Sequence, residues 1–152
     1  MGCNFKPMYE EKVFITSLCE IKVAKARAES KHYEELFKNE LENSLCPSFA
    51  RSKKYLLNWE ITKNKNELIG SNTNRAVRYE TKLNLSFSLI NIKNNKIIYN
   101  DTAYSSSEYN VLEDEIISTL ASEKNTEEII IKNLKEIILN KIYLYMANNE
   151  NK

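Results

Sequence analysis

The sequence predicts an α+β protein, a two-layer sandwich whose four-stranded sheet is mixed and mostly antiparallel and carries two helices on one face. Residues 79–89 alternate between apolar and polar, which is typical of a long strand with one buried face. Two other stretches, residues 31–45 and a long segment near the C-terminus, repeat apolar residues at helical spacing. The elements follow in the order β-α-β-β-β-α, and two amphipathic helices cover one apolar sheet face most simply as a second layer.

The first half of the domain begins with a strand from Cys19 to Val23, because apolar and charged residues alternate there. A helix is predicted over residues 31–45, with Ser30 as its N-cap and Pro47 beyond its end. Its apolar face comprises Tyr33, Leu36, Phe37, Leu41 and Leu45. A second strand alternates over residues 55–62, and the Lys/Asn-rich residues 63–66 are predicted to form a polar turn.

The second half of the domain is predicted as a hairpin followed by a long helix. The third strand, residues 79–89, is joined to a fourth by a turn at Asn94 and Asn95, since asparagine tolerates positive φ. The fourth strand should run from Lys96 to about Ser106 and lie at an edge, because its alternation is weak. Residues 107–112 are expected to be a linker.

The last helix is predicted to be about 34 residues long, with Glu113, Asp114 and Glu115 at its positive N-terminal end. Its apolar stripe comprises Ile117, Leu120, Ala121, Ile131, Leu134, Ile138, Ile142 and Tyr145. Residues 122–128 contain no large apolar side chain, so the helix either continues through them or restarts at Asn125. We expect a continuous helix.

Length and charge set further limits. The 152 residues fit about one domain: a tether and lead-in at 1–17, the sandwich at 18–147 and a frayed tail at 148–152. The net charge of +1 argues against bulk binding of nucleic acid. No run of about 18 apolar residues exists, so no transmembrane helix is expected.

The residues that usually carry catalysis are sparse. Cys19 and Cys46 either form a disulfide in an oxidising compartment or, the commoner fate, act as two small buried apolar residues. His32 is the single histidine, so a Cys–His nucleophile or a metal site lacks partners. No glycine-rich phosphate loop is present. We therefore expect neither enzymatic activity nor a cofactor or metal.

The N-terminal residues 3–9 are typical of the start of a mature bacterial lipoprotein, in which the leading cysteine carries acyl chains and an extended tether follows. Pro7 fits such a tether because it favours extended geometry at Lys6. The alternative is a disordered N-terminus without an anchor. Acylation of Cys3 requires a signal peptide that has been removed ahead of this sequence.

Several short stretches, in this order along the chain, are similar to the LPS-assembly lipoprotein family (LptE, also called RlpB) in its alphaproteobacterial form. They are residues 3–9, the helix end at 41–47, Arg78-Tyr79 with Leu85-Ser86-Phe87-Ser88-Leu89, Ser105-Ser106-Ser107-Glu108-Tyr109-Asn110, and Leu120-Ala121-Ser122-Glu123-Lys124. The similar stretches are spread over most of the chain, and the resemblance is based on their combined order.

This resemblance implies a protein anchored through Cys3 to the periplasmic side of the outer membrane. It implies residence in the lumen of a β-barrel partner, the LPS-assembly protein LptD, as plug and assembly aid, with possible contact to LPS. The polar side of the third strand would suit a polar lumen or plain water equally. Two alternatives stay open: another periplasmic lipoprotein with the same sandwich, and a cytoplasmic binding module.

Four basic residues are candidate ligands for the phosphates of lipid A: Arg75, Arg78, Lys63 and Lys65. Arginine binds such groups in a bidentate manner. The prediction requires that the turns flanked by these residues share one end of the sheet. Otherwise these residues are ordinary solvated charges.

Overall fold

The structure, a computed structural model, describes residues 18–25, 29, 31–46, 52–69, 77–111 and 115–149. These residues form β1 (Ile21–Val23), α1 (His32–Ser44), β2 (Tyr55–Ile69), β3 (Val77–Asn91), β4 (Lys96–Val111) and α2 (Ile116–Asn149). The order β-α-β-β-β-α and the α+β class are those predicted. The predicted tether and Cys3 lie outside the described residues.

The four strands form one sheet in the order β1-β2-β3-β4. β1 pairs parallel to β2 through Ile21 and Tyr55, whereas β2, β3 and β4 pair antiparallel. Asn95 has a φ of 56°, which confirms the asparagine turn between β3 and β4. The sheet is therefore mixed, with β4 at an edge as predicted.

Three strands are longer than their sequences predict, and β3 extends two residues beyond residues 79–89 at each end. β2 runs unbroken through residues 63–66, with Lys63 opposite Leu83 and Lys65 opposite Thr81, so the predicted polar turn is wrong. β4 continues to Val111, so the predicted linker from residue 107 is also wrong. In both cases pairing along the full length of β3 overrides the weak local preference of Lys, Asn and Ser for turns.

The core lies between one face of the sheet, called the inner face, and the two helices. The alternation of β3 is confirmed, since Leu83, Leu85 and Leu89 are at most 1% exposed. Phe37 of α1 is completely buried and packs edge-on against Trp59 of β2, with ring centroids 5.2 Å apart. Fully buried side chains of α2 include Ile130, Ile131, Leu134, Ile138 and Ile142.

Helix α1 starts one residue later than predicted. Its N-cap is Lys31 rather than Ser30, which lies outside the described residues. The Lys31 N–H donates a hydrogen bond of 3.0 Å to the Glu34 carboxylate, which replaces the side-chain cap that a serine would supply. Leu45 is the C-cap, so the predicted helix end is off by one residue.

Helix α2 is continuous through residues 122–128, as predicted, and extends to Asn149, two residues into the expected frayed tail. Its apolar stripe is buried only from Ile130 onward. Ile117 and Leu120, which the sequence pattern assigns to that stripe, are 85% and 61% exposed. The physical reason is length: α1 has 13 residues against 34 in α2, so no described helix lies beside the first half of α2.

Cys19 and Cys46 form a disulfide, with their Cα atoms 4.8 Å apart. The expectation that they stay as two separate apolar residues is therefore wrong. The bond joins the segment ahead of β1 to the segment after α1, which brings the parallel edge strand and its crossover helix together. Disulfides persist mainly in oxidising compartments.

Removing this disulfide should destabilise the fold. The bond spans a sequence separation of 27 residues, and closing a loop of that size stabilises a protein by about 3 kcal/mol. We expect the Cys19→Ser/Cys46→Ser variant to lose about this much free energy of unfolding in urea titrations. Cys3→Ser serves as the matched control and should unfold as the parent does. Equal urea midpoints for the double variant and the parent would contradict the structural role of the bond.

Candidate functional site: the outer face of the sheet

The face of the sheet opposite the helices, called the outer face, carries mainly polar side chains, and short ones occupy most of its middle. On β2, β3 and β4 they form three adjacent cross-strand rows: Asn58-Ser88-Asn100, Glu60-Ser86-Thr102 and Thr62-Asn84-Tyr104. The contacts of both helices lie on the inner face, through Trp59 for α1 and through Lys63 and Tyr99 for α2. No described helix therefore covers the outer face.

Two shallow, neighbouring grooves of about 550 and 340 Å³ lie on this face and share Glu60, Ser86 and Thr102. Amide and hydroxyl groups dominate their lining, so the surface can donate and accept many hydrogen bonds with little net charge. Tyr104 is 65% exposed, and the Lys82 ammonium lies 4.3 Å from its ring centroid. The outer face thus offers hydrogen bonding and one aromatic ring, rather than an apolar or strongly charged patch.

Arg78 lies on the same outer face, near the end of β3. Its guanidinium forms an ion pair of 2.9 Å with Glu108 of β4, and both side chains are about half exposed. Exposed pairs of this kind stabilise a protein little, so the guanidinium can exchange its partner. Arg75 lies outside the described residues.

Lys63 and Lys65 lie on the opposite, inner face. Lys63 forms ion pairs with Glu127 and, at 3.1 Å, with Glu123 of α2. Lys65 pairs with Glu123 at 3.4 Å. The structure therefore separates these two lysines from Arg78. The premise that all flank turns at one end of the sheet is wrong, while binding of LPS itself stays a prediction.

These ion pairs are together called the lysine cluster (Lys63, Lys65, Glu123 and Glu127). Burial acts to lower the pKa of Lys63, but hydrogen bonds to Glu127 and Glu123 outweigh it and hold this pKa above its ordinary value. Burial likewise acts to raise the pKa of Glu123, but Lys63 and Lys65 hold it below its ordinary value. The cluster attaches the first half of α2 to β2.

A second polar contact attaches the other half of α2 to β4. The Asp101 carboxylate accepts hydrogen bonds from Lys141 at 2.5 Å, from the Tyr99 hydroxyl at 3.0 Å and from the Thr102 N–H at 2.7 Å. Lys141, followed by the Thr102 N–H, lowers the pKa of Asp101. Tyr99 also stacks on Tyr145, with ring centroids 4.6 Å apart. This contact and the lysine cluster fix α2 diagonally across the sheet.

Other kinds of site find no support in the part of the chain that the structure describes. It contains no group of three or more His, Cys, Asp or Glu residues placed to hold a metal ion. None of its helices combines the length and apolarity needed to cross a bilayer.

Comparison with known proteins is informative only at the level of fold. No family model and no curated protein matches the sequence. A candidate lipoprotein from Caulobacter crescentus superposes with a TM-score of 0.70 at 16% identity, over 89% of this chain and 96% of that one. A minor lipoprotein from Acinetobacter baumannii gives 0.57 at 18% identity, over 82% and 88% of the two chains. A candidate homologue of a neuraminyllactose-binding haemagglutinin from Helicobacter pylori gives 0.51 at 13% identity, over 87% and 86%.

The lysine cluster should contribute to stability rather than to ligand binding. Lys63→Met leaves the buried Glu127 without its cation. We expect a loss of about 2 kcal/mol of unfolding free energy, less than for a pair in which both side chains are fully buried. Lys124→Met, at an exposed position of α2, is the matched control and should cost little. Urea titrations measure both variants. A Lys63→Met protein as stable as the control would contradict this role.

Proposed function

We propose that the protein is a non-enzymatic lipoprotein of the outer membrane, anchored on the periplasmic side through Cys3. In this proposal it plugs an LPS-translocating β-barrel of the LptD type, assists the assembly of that barrel and contacts LPS during insertion into the outer leaflet. The observation that carries the proposal is the uncovered, weakly charged polar outer face.

The anchoring part of the proposal is supported by the start of the sequence and by the fold. Residues 3–9 follow the pattern of a lipoprotein start, and two proteins described as a candidate and a minor lipoprotein share the sandwich over most of their length. The Cys19–Cys46 disulfide is consistent with export, because such bonds form outside the reducing cytoplasm.

The barrel part of the proposal is supported by the chemistry of the outer face. The lumen of an outer-membrane barrel is polar, and a protein that occupies it needs hydrogen-bonding groups without large uncompensated charge. The rows around Ser86 supply amides and hydroxyls, and the charge of Arg78 is compensated by Glu108. The sequence resemblance to the LPS-assembly lipoproteins points to the same kind of partner.

The anchor and the barrel are tested in the native cell. We expect the N-terminal peptide to carry acyl chains on Cys3, and we expect the protein to fractionate with the outer membrane and to co-purify with a large barrel protein. Cys3→Ser should move it to the soluble fraction, whereas Lys6→Ser should not. An unmodified Cys3 on soluble protein would contradict the anchor. Acylated protein recovered without any barrel would contradict the plug.

The contact with LPS is tested on Arg78. Exchange of Glu108 for a lipid A phosphate would give the guanidinium a doubly hydrogen-bonded anion, so Arg78→Ala should weaken binding to purified lipid A about tenfold. Glu108→Ala is the control, because it keeps the guanidinium and removes only its partner in the chain. It should bind at least as well as the parent. Equal affinities for Arg78→Ala and the parent would remove Arg78 from the proposal.

A further inference from the structure

The second half of β4, residues 103–111 and here called the open edge, is a long strand edge without protection. β4 is the last strand of the sheet, and no described residue pairs with its free side. The open edge contains no proline and a single charged residue, Glu108. Its ladder with β3 has no register shift. Proline, charge and bulges are the usual means by which proteins prevent an edge from pairing with another chain.

Other parts of the sheet's two edges do carry such protection. The opposite edge begins with β1, a strand of only three residues that pairs with residues 55–57 of β2. The rest of that edge is β2 itself, which carries four charged residues (Glu60, Lys63, Lys65 and Glu67) and a register shift between Glu67 and Ile69. In the first half of β4 the register shifts opposite Leu89 and Ile90, which distorts the edge. Beside it, the Asp101 carboxylate accepts the Thr102 N–H and so occupies a backbone donor. The lack of protection is therefore specific to the open edge.

The path of α2 also leaves the open edge accessible. The second half of the helix lies over the first half of β4, where Lys141 binds Asp101 and Tyr145 stacks on Tyr99. Its first half is attached to β2 through side chains, where Glu123 binds Lys63. No described contact places α2 along the free side of residues 103–111.

The direction of the backbone groups follows from the pairing of β3 with its two neighbours. The Ile92 N–H donates to the Lys54 C=O, so the even-numbered residues of β3 turn their backbone groups toward β2 and the odd-numbered ones toward β4. The odd-numbered residues of β4 lie opposite the latter and pair with them. The N–H and C=O groups of the even-numbered residues Tyr104, Ser106, Glu108 and Asn110 therefore point away from β3. No described residue pairs with these donors and acceptors on the open edge.

We propose that the open edge pairs antiparallel with the same edge of a second copy of this chain, about a two-fold axis at Ser107. In this register Ser106 lies opposite Glu108 of the other copy, and Tyr104 lies opposite Asn110. These are the residues whose backbone groups point outward, so they form the hydrogen-bonded pairs. Ser107 lies opposite Ser107 of the other copy. This pair is close and not hydrogen-bonded, so a small side chain fits there.

Self-pairing is favoured over an unrelated strand because the segment is complementary to itself. Its single charge meets a serine rather than the same charge, so like charges do not lie directly opposite each other. The two sheets join into one of eight strands, with both helix layers on the same side of it. One strand pair buries little surface, so the dimer should be weak and dependent on concentration. This association concerns the free protein and does not depend on the proposed function.

The test uses charge at Ser106, which is exposed. Residue 106 of each copy lies opposite Glu108 of the other, so every substitution there creates two equivalent contacts. Ser106→Glu places a second carboxylate opposite Glu108 in both, and Ser106→Lys places an ammonium group opposite Glu108 in both. Sedimentation equilibrium should give a dimer for the parent at high concentration, a dissociation constant at least about tenfold weaker for Ser106→Glu, and a tighter one for Ser106→Lys.

The matched controls are Ser86→Glu and Ser86→Lys, at an exposed position on the outer face of the central strand β3. They carry the same charges away from the edge and should dimerise as the parent does. A parent that stays monomeric throughout the concentration range overturns the proposal. So does a dimer that responds equally to charge at Ser86 and Ser106, because its interface would then not be the open edge.

Discussion

The two faces of β3 impose the constraint on which the rest of the structure depends. Leu83, Leu85 and Leu89 point to one side and are at most 1% exposed, so that side must be covered. Asn84 and Ser86 point to the other side, where polar groups are best left in contact with water or a polar partner. Both helices therefore pack on the inner face, and no described helix covers the outer face.

The helix layer does not match the sheet in length, and the mismatch determines which surfaces are exposed. α1 is short and is held beside β1 by the Cys19–Cys46 disulfide. α2 is long and crosses the sheet diagonally, attached at β2 through Lys63 and at β4 through Asp101. Its first turns stay exposed, and the second half of β4 is left as an open edge. These surfaces follow from the positions of only a few polar contacts.

The sequence predicted the fold well where one periodic pattern was strong, as in β3 and α2. It failed where pairing with a distant strand decided the outcome. Residues 63–66 have the composition of a turn, yet β3 continues opposite them and holds them in the ladder. The exposure of Ile117 depends on the length of a different helix. The Cys19–Cys46 pairing depends on a distance across the fold that cysteine counting alone does not give.

The candidate site was predictable only in part. The alternation of β3 gave the polar outer face, including Ser86, and the turn-flanking position singled out Arg78. Lys63 and Lys65 were assigned to a phosphate site because nothing local reveals that Glu123 and Glu127, about 60 residues away, meet them. Ion pairs between distant segments become visible only once the register of β2 and the path of α2 are known.

The measurement that tests this account most directly is site-specific photo-crosslinking in the native cell, with a photoreactive side chain at Ser86 on the outer face or at Glu136 on the exposed side of α2. If the outer face is the working surface, the probe at Ser86 should crosslink strongly to a barrel protein, and the probe at Glu136 should do so less. A barrel adduct from Glu136 with none from Ser86 would contradict the account.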